Sequence, residues 1–180
     1  MRLAFLMLVL IAATAATASG QPDSRTTSYK GPVRLAQPCR GADLSVRHVT
    51  EDAAMGGMNT IDYAFKNTSS SLCTLIGYPR FELLDNSGRV RPRARAVNSR
   101  QMPGEETKHT PKLVTIDPGK EAGFRIYYNS GGAGYMGKPC PISRRVKITP
   151  PGTTRPFILR EQIKSCGELK VYAIRAELPE

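Results

Sequence analysis

From Ala122 to Tyr128 every second residue is apolar: Ala122, Phe124, Ile126 and Tyr128, entered through the turn signal Asp117-Pro118-Gly119. Period two is the rhythm of a β-strand, whose successive side chains point to opposite faces of a pleated sheet. The same rhythm returns in short runs along the chain. Leu44, Val46 and His48 share one face of a first strand, and Ile61, Tyr63 and Phe65 one face of a second that ends in the polar cluster Asn67 to Ser71. Phe81 with Leu83, Val114 with Ile116, Val146 with Ile148, Phe157 with Leu159, and Leu169, Val171 and Ala173 continue the pattern. Asp85-Asn86-Ser87-Gly88 and Pro150-Pro151-Gly152 supply further turns. No run keeps helical spacing. The pattern predicts an all-β sandwich or barrel of about eight or nine strands, with one long exposed loop from Ala94 to Pro111.

The N-terminus reads as a secretory signal peptide over residues 1–18. Arg2 gives the charged start, Leu3 to Ala13 an unbroken apolar run, and Ala16-Thr17-Ala18 the small-x-small cleavage pattern. The apolar run is shorter than the roughly 20 residues a membrane span needs. Ser, Thr, Pro, Gln and Gly dominate residues 19–38, which predicts a flexible leader ahead of a β-sandwich domain over residues 39–178. Cleavage leaves 162 of the 180 residues, enough for one hydrophobic core, and lowers the net charge from +11 to +10. A chain so basic is attracted to polyanions, and an anionic envelope polymer or another envelope protein is the partner class expected. Neither specific nucleic-acid recognition nor a transmembrane segment is expected, and the location predicted is secreted or periplasmic.

Four cysteines, Cys39, Cys73, Cys140 and Cys166, form no Cys-x-x-Cys pair, so neither a zinc ribbon nor a thioredoxin-type centre is encoded. In an oxidising compartment an even count implies two disulfides. Strand direction selects the pairing. Cys39 precedes the first strand and Cys73 follows the second, so antiparallel neighbours bring both to one end. Cys140 precedes the Val146 strand and Cys166 the last, with the Phe157 strand running back between them. Cys39–Cys73 and Cys140–Cys166 is therefore expected among the three possible connectivities.

Asn67-Thr68, Cys73-Thr74-Leu75, Gly77-Tyr78-Pro79 and Leu83-Leu84-Asp85, with Gly88 following, resemble a family of exported bacterial domains known as domain of unknown function 4232. Cys39, the Pro118-Gly119 turn before Tyr127-Tyr128, Cys140, Pro150-Pro151-Gly152 and Cys166-Gly167 agree with it, over about Cys39 to Ala176. The resemblance implies an immunoglobulin-like β-sandwich with paired cysteines, carried on surface or secreted proteins, and no catalytic residues. Many relatives look like lipoproteins with a cysteine at the cleavage site. This chain has none there, so no lipid anchor is expected.

Arg89, Arg91, Arg93 and Arg95 alternate. In an unbroken strand they stand on one face at about 7 Å steps, a spacing suited to a row of phosphates or sulfates. The competing reading is an edge strand kept soluble by charge, with Pro92 blocking further pairing. Met55, Met58, Met102 and Met136 with His48 and His109 are ligand types that suit copper(I), and a periplasmic copper-binding protein is the alternative function, although no spacing forces them together. Gly132-Ala133-Gly134-Tyr135-Met136-Gly137-Lys138 begins like a phosphate loop, but Pro139 stands where Ser or Thr must hold magnesium, so a plain loop is expected. Glu105, Glu106 and His109 read as a solvated loop. Asn67-Thr68-Ser69 fits a glycosylation acceptor but reads as a strand end. No Gly-x-Ser-x-Gly or His-Glu-x-x-His occurs, and no cofactor is expected. The leading expectation is a non-catalytic exported binding or structural module, with a hydrolase of unrecognised site as a second alternative.

Overall fold

The alternating runs become strands in the structure, a computed structural model that describes residues 36–95, 97–100, 108, 110–131, 139–167 and 169–177. For residues 55, 92–95 and 97 only the backbone is described. Two long strands open the fold, β2 (Leu44–Ala54) and β3 (Met58–Asn67), preceded by the two-residue β1 (Gln37–Pro38). Next come β4 (Cys73–Leu75), β5 (Arg80–Leu84), β6 (Val90–Arg95) and β7 (Val97–Asn98). The chain ends with β8 (Val114–Ile116), β9 (Glu121–Asn129), β10 (Ile142–Thr149), β11 (Phe157–Lys164) and β12 (Lys170–Val171). Nine of these strands have three residues or more, as the turn spacing predicts.

A five-stranded sheet runs β2-β3-β9-β12-β7, and a four-stranded sheet runs β11-β10-β5-β6. A small third sheet, β1-β4-β8, completes a sandwich-like all-β arrangement. Aromatic rings join the two large sheets. Tyr63 lies 5.6 Å from Phe81 across the gap, and Phe65 lies 6.4 Å from Phe157. Both stack on Phe124 of β9, at 5.4 and 5.1 Å. Such pairs add about 0.5–1.5 kcal/mol each beyond the area they bury. Ile61, Phe81, Leu83, Ile126, Val146, Ile148 and Ile163 fill the core around them.

The turns obey their residues. Gly88 (φ +85°) closes the Asp85 turn by donating to the Asp85 carbonyl; between β8 and β9 Gly119 takes φ +74° while the Lys120 N–H closes the turn onto the Asp117 carbonyl. A Cβ at Gly88 would meet the Arg145 guanidinium only at ordinary contact distance, so the positive φ and not space calls for glycine there. Both disulfides take the predicted pairing. Cys39–Cys73 has a Cα separation of 4.8 Å and Cys140–Cys166 one of 4.6 Å. Strand direction is the cause: β2 and β3 are antiparallel, as are β10 and β11.

Three expectations need correction. Gln37 and Pro38, assigned to the leader, pair in parallel with Cys73 and Thr74 because the Cys39–Cys73 bond holds this segment against β4. Ala94 and Arg95, assigned to the long loop, end β6, and Val97–Asn98 forms β7 beside β12. The final strand is only Lys170–Val171, and Val171, Tyr172 and Ile174 are all buried, so alternation fails there. The segment expected to be a signal peptide, most of the expected leader, residues 101–107 and 109, and residues 132–138 lie outside the described residues. Among the described residues no helix is long and apolar enough to cross a membrane.

Candidate functional site

β2 and β11 are outer strands of different sheets, and their facing sides meet along one flank of the sandwich. Each carries a one-residue irregularity at that flank. In β2, His48 pairs with Tyr63 but Thr50 already pairs with Asp62, so Val49 is an inserted bulge residue. In β11, Arg160 pairs with Arg145 and Ile163 with Ser143, so Glu161 and Gln162 together oppose Arg144. Bulges re-aim side chains and gather at sheet edges and beside functional sites. Here the first brings Glu51 onto the same side as His48, three residues earlier, and Glu51 lies opposite the core residue Ile61.

A polar cluster results. The Tyr63 hydroxyl donates to Glu161 Oε2, and the other carboxylate oxygen lies 3.5 Å from His48 Nδ1. The Tyr128 hydroxyl donates to Glu51 Oε1 at 2.6 Å. The Glu161 side chain is 14% exposed and that of His48 37%. Burial, more than any neighbour, raises the Glu161 carboxyl above the usual carboxylate range, and the Glu51 charge adds to it. Burial is also the first cause that raises the phenols of Tyr63 and Tyr128, which remain protonated donors. A carboxylate, an imidazole and a phenol so placed can exchange or hold a proton.

The second feature is the outer face of the four-stranded sheet. Cross-strand register sets Lys147 opposite buried Glu82, with Arg80 two residues before it on β5, and sets Arg145 opposite Arg160 farther along the same strands. Lys147 Nζ approaches Glu82 at 3.3 Å and Arg80 at 4.0 Å. Arg145 and Arg160 stand directly opposite each other, an arrangement that destabilises an antiparallel pair. Arg145 is held by the Asp85 turn, donating to the Asp85 and Asn86 carbonyls at 3.3 and 2.9 Å. Arg160, Arg144 and Lys164 are exposed, and their side chains make no hydrogen bond or ion pair among the described residues.

The predicted arginine row runs from the Asp85 turn into β6, whose register against β5 is irregular. Val90 pairs with Leu84 and Arg95 with Glu82. Leu84 and Glu82 are two apart, on one side of β5, whereas Val90 and Arg95 are five apart, so strict alternation breaks between them. Arg89 serves the turn, its backbone N–H bonded to Asp85 Oδ1 and its guanidinium to Ser87, and Arg91 donates to Ser143 at 3.2 Å. The side chains of Arg93 and Arg95 lie outside the described residues.

The copper-type set is likewise not assembled among the described residues. His48 faces Glu161, while Met58 lies five residues along β3 from Tyr63, about 17 Å at ~3.3 Å per residue. The side chain of Met55, and Met102, His109 and Met136 with Glu105 and Glu106, lie outside the described residues. Among the described residues no three His, Cys, Asp or Glu side chains are grouped to hold a metal ion. Asn67 is a strand end as expected: fully buried, its amide donates to the Ser71 and Ile116 carbonyls.

Residues 39–175 match the family described as domain of unknown function (DUF4232), and the chain belongs to that family. No curated protein and no solved structure matches the chain.

Proposed function

We propose that this member of the DUF4232 family is an exported module that acts by binding anionic polymers of the cell envelope or its surroundings, not by catalysis. The observation that carries the reading is the Arg145–Arg160 register pair, two arginines opposite each other across β10 and β11, with the Arg145 guanidinium held at the Asp85 turn and Arg160 exposed and lacking a carboxylate partner among the described residues. A phosphate or sulfate bound at Arg160 gains a charge-assisted contact and offsets the like charge of Arg145 across the ladder, and Arg presents a fork suited to either. Arg144 and Lys164 extend the positive surface along the same two strands. The net charge of +11 draws polyanions in from a distance. Two disulfides fit an oxidising compartment, in keeping with the signal-peptide pattern at the N-terminus.

The test is binding to heparin and to polyphosphate over a series of salt concentrations. Arg160→Gln/Lys164→Gln should weaken binding and flatten the log–log salt dependence by about two counterions. Lys66→Gln/Lys120→Gln removes the same charge from beside the five-stranded sheet and should weaken binding less. Equal losses in the two variants reduce the interaction to net charge, and no loss in either rejects the face. Arg93→Gln/Arg95→Gln tests whether the row on β6 extends the same surface.

A further inference from the structure

Glu161, His48 and Tyr63 lie where β2 and β11 meet, and these two strands belong to different sheets with no ladder between them. We infer that this seam is a proton-controlled joint, closed when Glu161 is protonated and loosened when it has lost its proton. The inference stands apart from the polyanion reading, because it rests on the inner side of β11 and not on Arg160.

Every group facing the joint bears on its sign. From β3 comes the Tyr63 hydroxyl, a donor to Glu161 Oε2. From β2 come His48 and Glu51, and from β9 Tyr128, which donates to Glu51. On β10 Arg144 stands opposite the bulge. Its neighbours Arg160 and Lys164 on β11 are exposed to solvent, as is Arg144.

In the closed seam the carboxylate of Glu161 loses water and has Glu51 as a like charge nearby, and this outweighs the support its ionised form gains from Tyr63 and His48, so that form is disfavoured there. In an opened seam the carboxyl is hydrated and ordinary. The closed form therefore binds this proton more tightly, acid favours closure, and that contribution fades as pH rises through the folded pKa. The closing ligand is the proton.

Amide hydrogen exchange across the two strands, corrected for the intrinsic pH dependence of exchange, reads the joint directly. Residues 46–51 and 160–163 should be less protected at about pH 8 than at about pH 5. The opening constant should change about tenfold for each unit that separates the closed and open carboxyl pKa. Glu161→Gln, which cannot ionise, should remain protected at both pH values. Glu121→Gln, whose carboxylate is paired with Arg47, should keep the wild-type pH response. A wild-type seam insensitive to pH, or a Glu161→Gln variant with the wild-type response, overturns the inference. If that variant does not fold, a carbon-13 titration of Glu161 in the unmodified protein decides. A midpoint above the usual glutamate value supports the joint, and one at or below it overturns it.

Discussion

Asp62 is 1% exposed on β3, yet it is charged and shares its register position with Arg125 of β9. The guanidinium grips both carboxylate oxygens, at 2.7 and 2.6 Å, and the Thr50 hydroxyl donates to Oδ2 at 3.2 Å. A two-pronged pair removed from water holds only while both halves remain, because a buried charge without its partner cannot recover its hydration. Asp62→Ala should therefore destabilise the fold by about 3–5 kcal/mol, read from urea unfolding, unless water enters the vacated site. Asp62→Asn, which keeps the shape and one acceptor, should cost less. None of this is legible in the local sequence, where Asp62 reads as the outward residue of an alternating strand. Glu161 and Tyr63 are similarly obscure, since 98 residues separate them.

Among the elements, the end of β3 shows how one side chain can join three strands. The Asn67 amide donates to the carbonyl of Ser71 ahead of β4 and to that of Ile116 on β8, while its Oδ1 accepts from Ser69. Its backbone carbonyl also accepts from Gly119, so the turn before β9 is fastened to the same point. Asn67→Ala removes the donor from two carbonyls at once. With a cost of about 1–3 kcal/mol for each buried group left without a partner, the loss should exceed ~2 kcal/mol. Asn67→Asp should also destabilise, because a carboxylate there has no N–H to offer those carbonyls. The check is thermal unfolding with far-ultraviolet circular dichroism. A melting temperature unchanged by Asn67→Ala would mean that Asn67 only fills space. At this scale the alternating runs announce the strands well, whereas the bulges at Val49 and at Glu161–Gln162 do not show, since an inserted residue looks like any other in a half-polar edge strand.

For the whole molecule, the disulfides tie opposite regions. Cys39–Cys73 secures the entry into β2 to β4, and Cys140–Cys166 secures the approach to β10 to the end of β11. They close loops of 34 and 26 residues, and removal of a native bridge from a secreted domain typically costs about 2–5 kcal/mol. Cys39→Ser/Cys73→Ser and Cys140→Ser/Cys166→Ser should each lower the denaturation midpoint in urea. Cysteine-linked peptides mapped without reduction should show only these two pairings. A Cys73–Cys140 link would contradict the strand order, and variants with unchanged midpoints would mean that packing alone holds both ends.

The strands, their turns, the pairing of the cysteines and the excess of positive charge were all determined by the sequence itself, because each follows from short-range rules. Pleating makes a half-buried strand alternate, positive φ calls for glycine at Gly88 and Gly119, and antiparallel neighbours return the chain to the end it left. What only the tertiary structure decided is which polar groups meet. The arginine row was conspicuous because it was local, yet the irregular register of β6 against β5 could not be read from it. Arg145 and Arg160 looked unrelated and stand opposite each other. His48 and Glu161 come together only when two sheets close on a shared core, with a bulge in each edge strand turning the chain at that place. Alternation along one strand sets which residues face inward, but the partner across the sheet gap depends on how the separate ladders are stacked, and no window of neighbouring residues contains that distance.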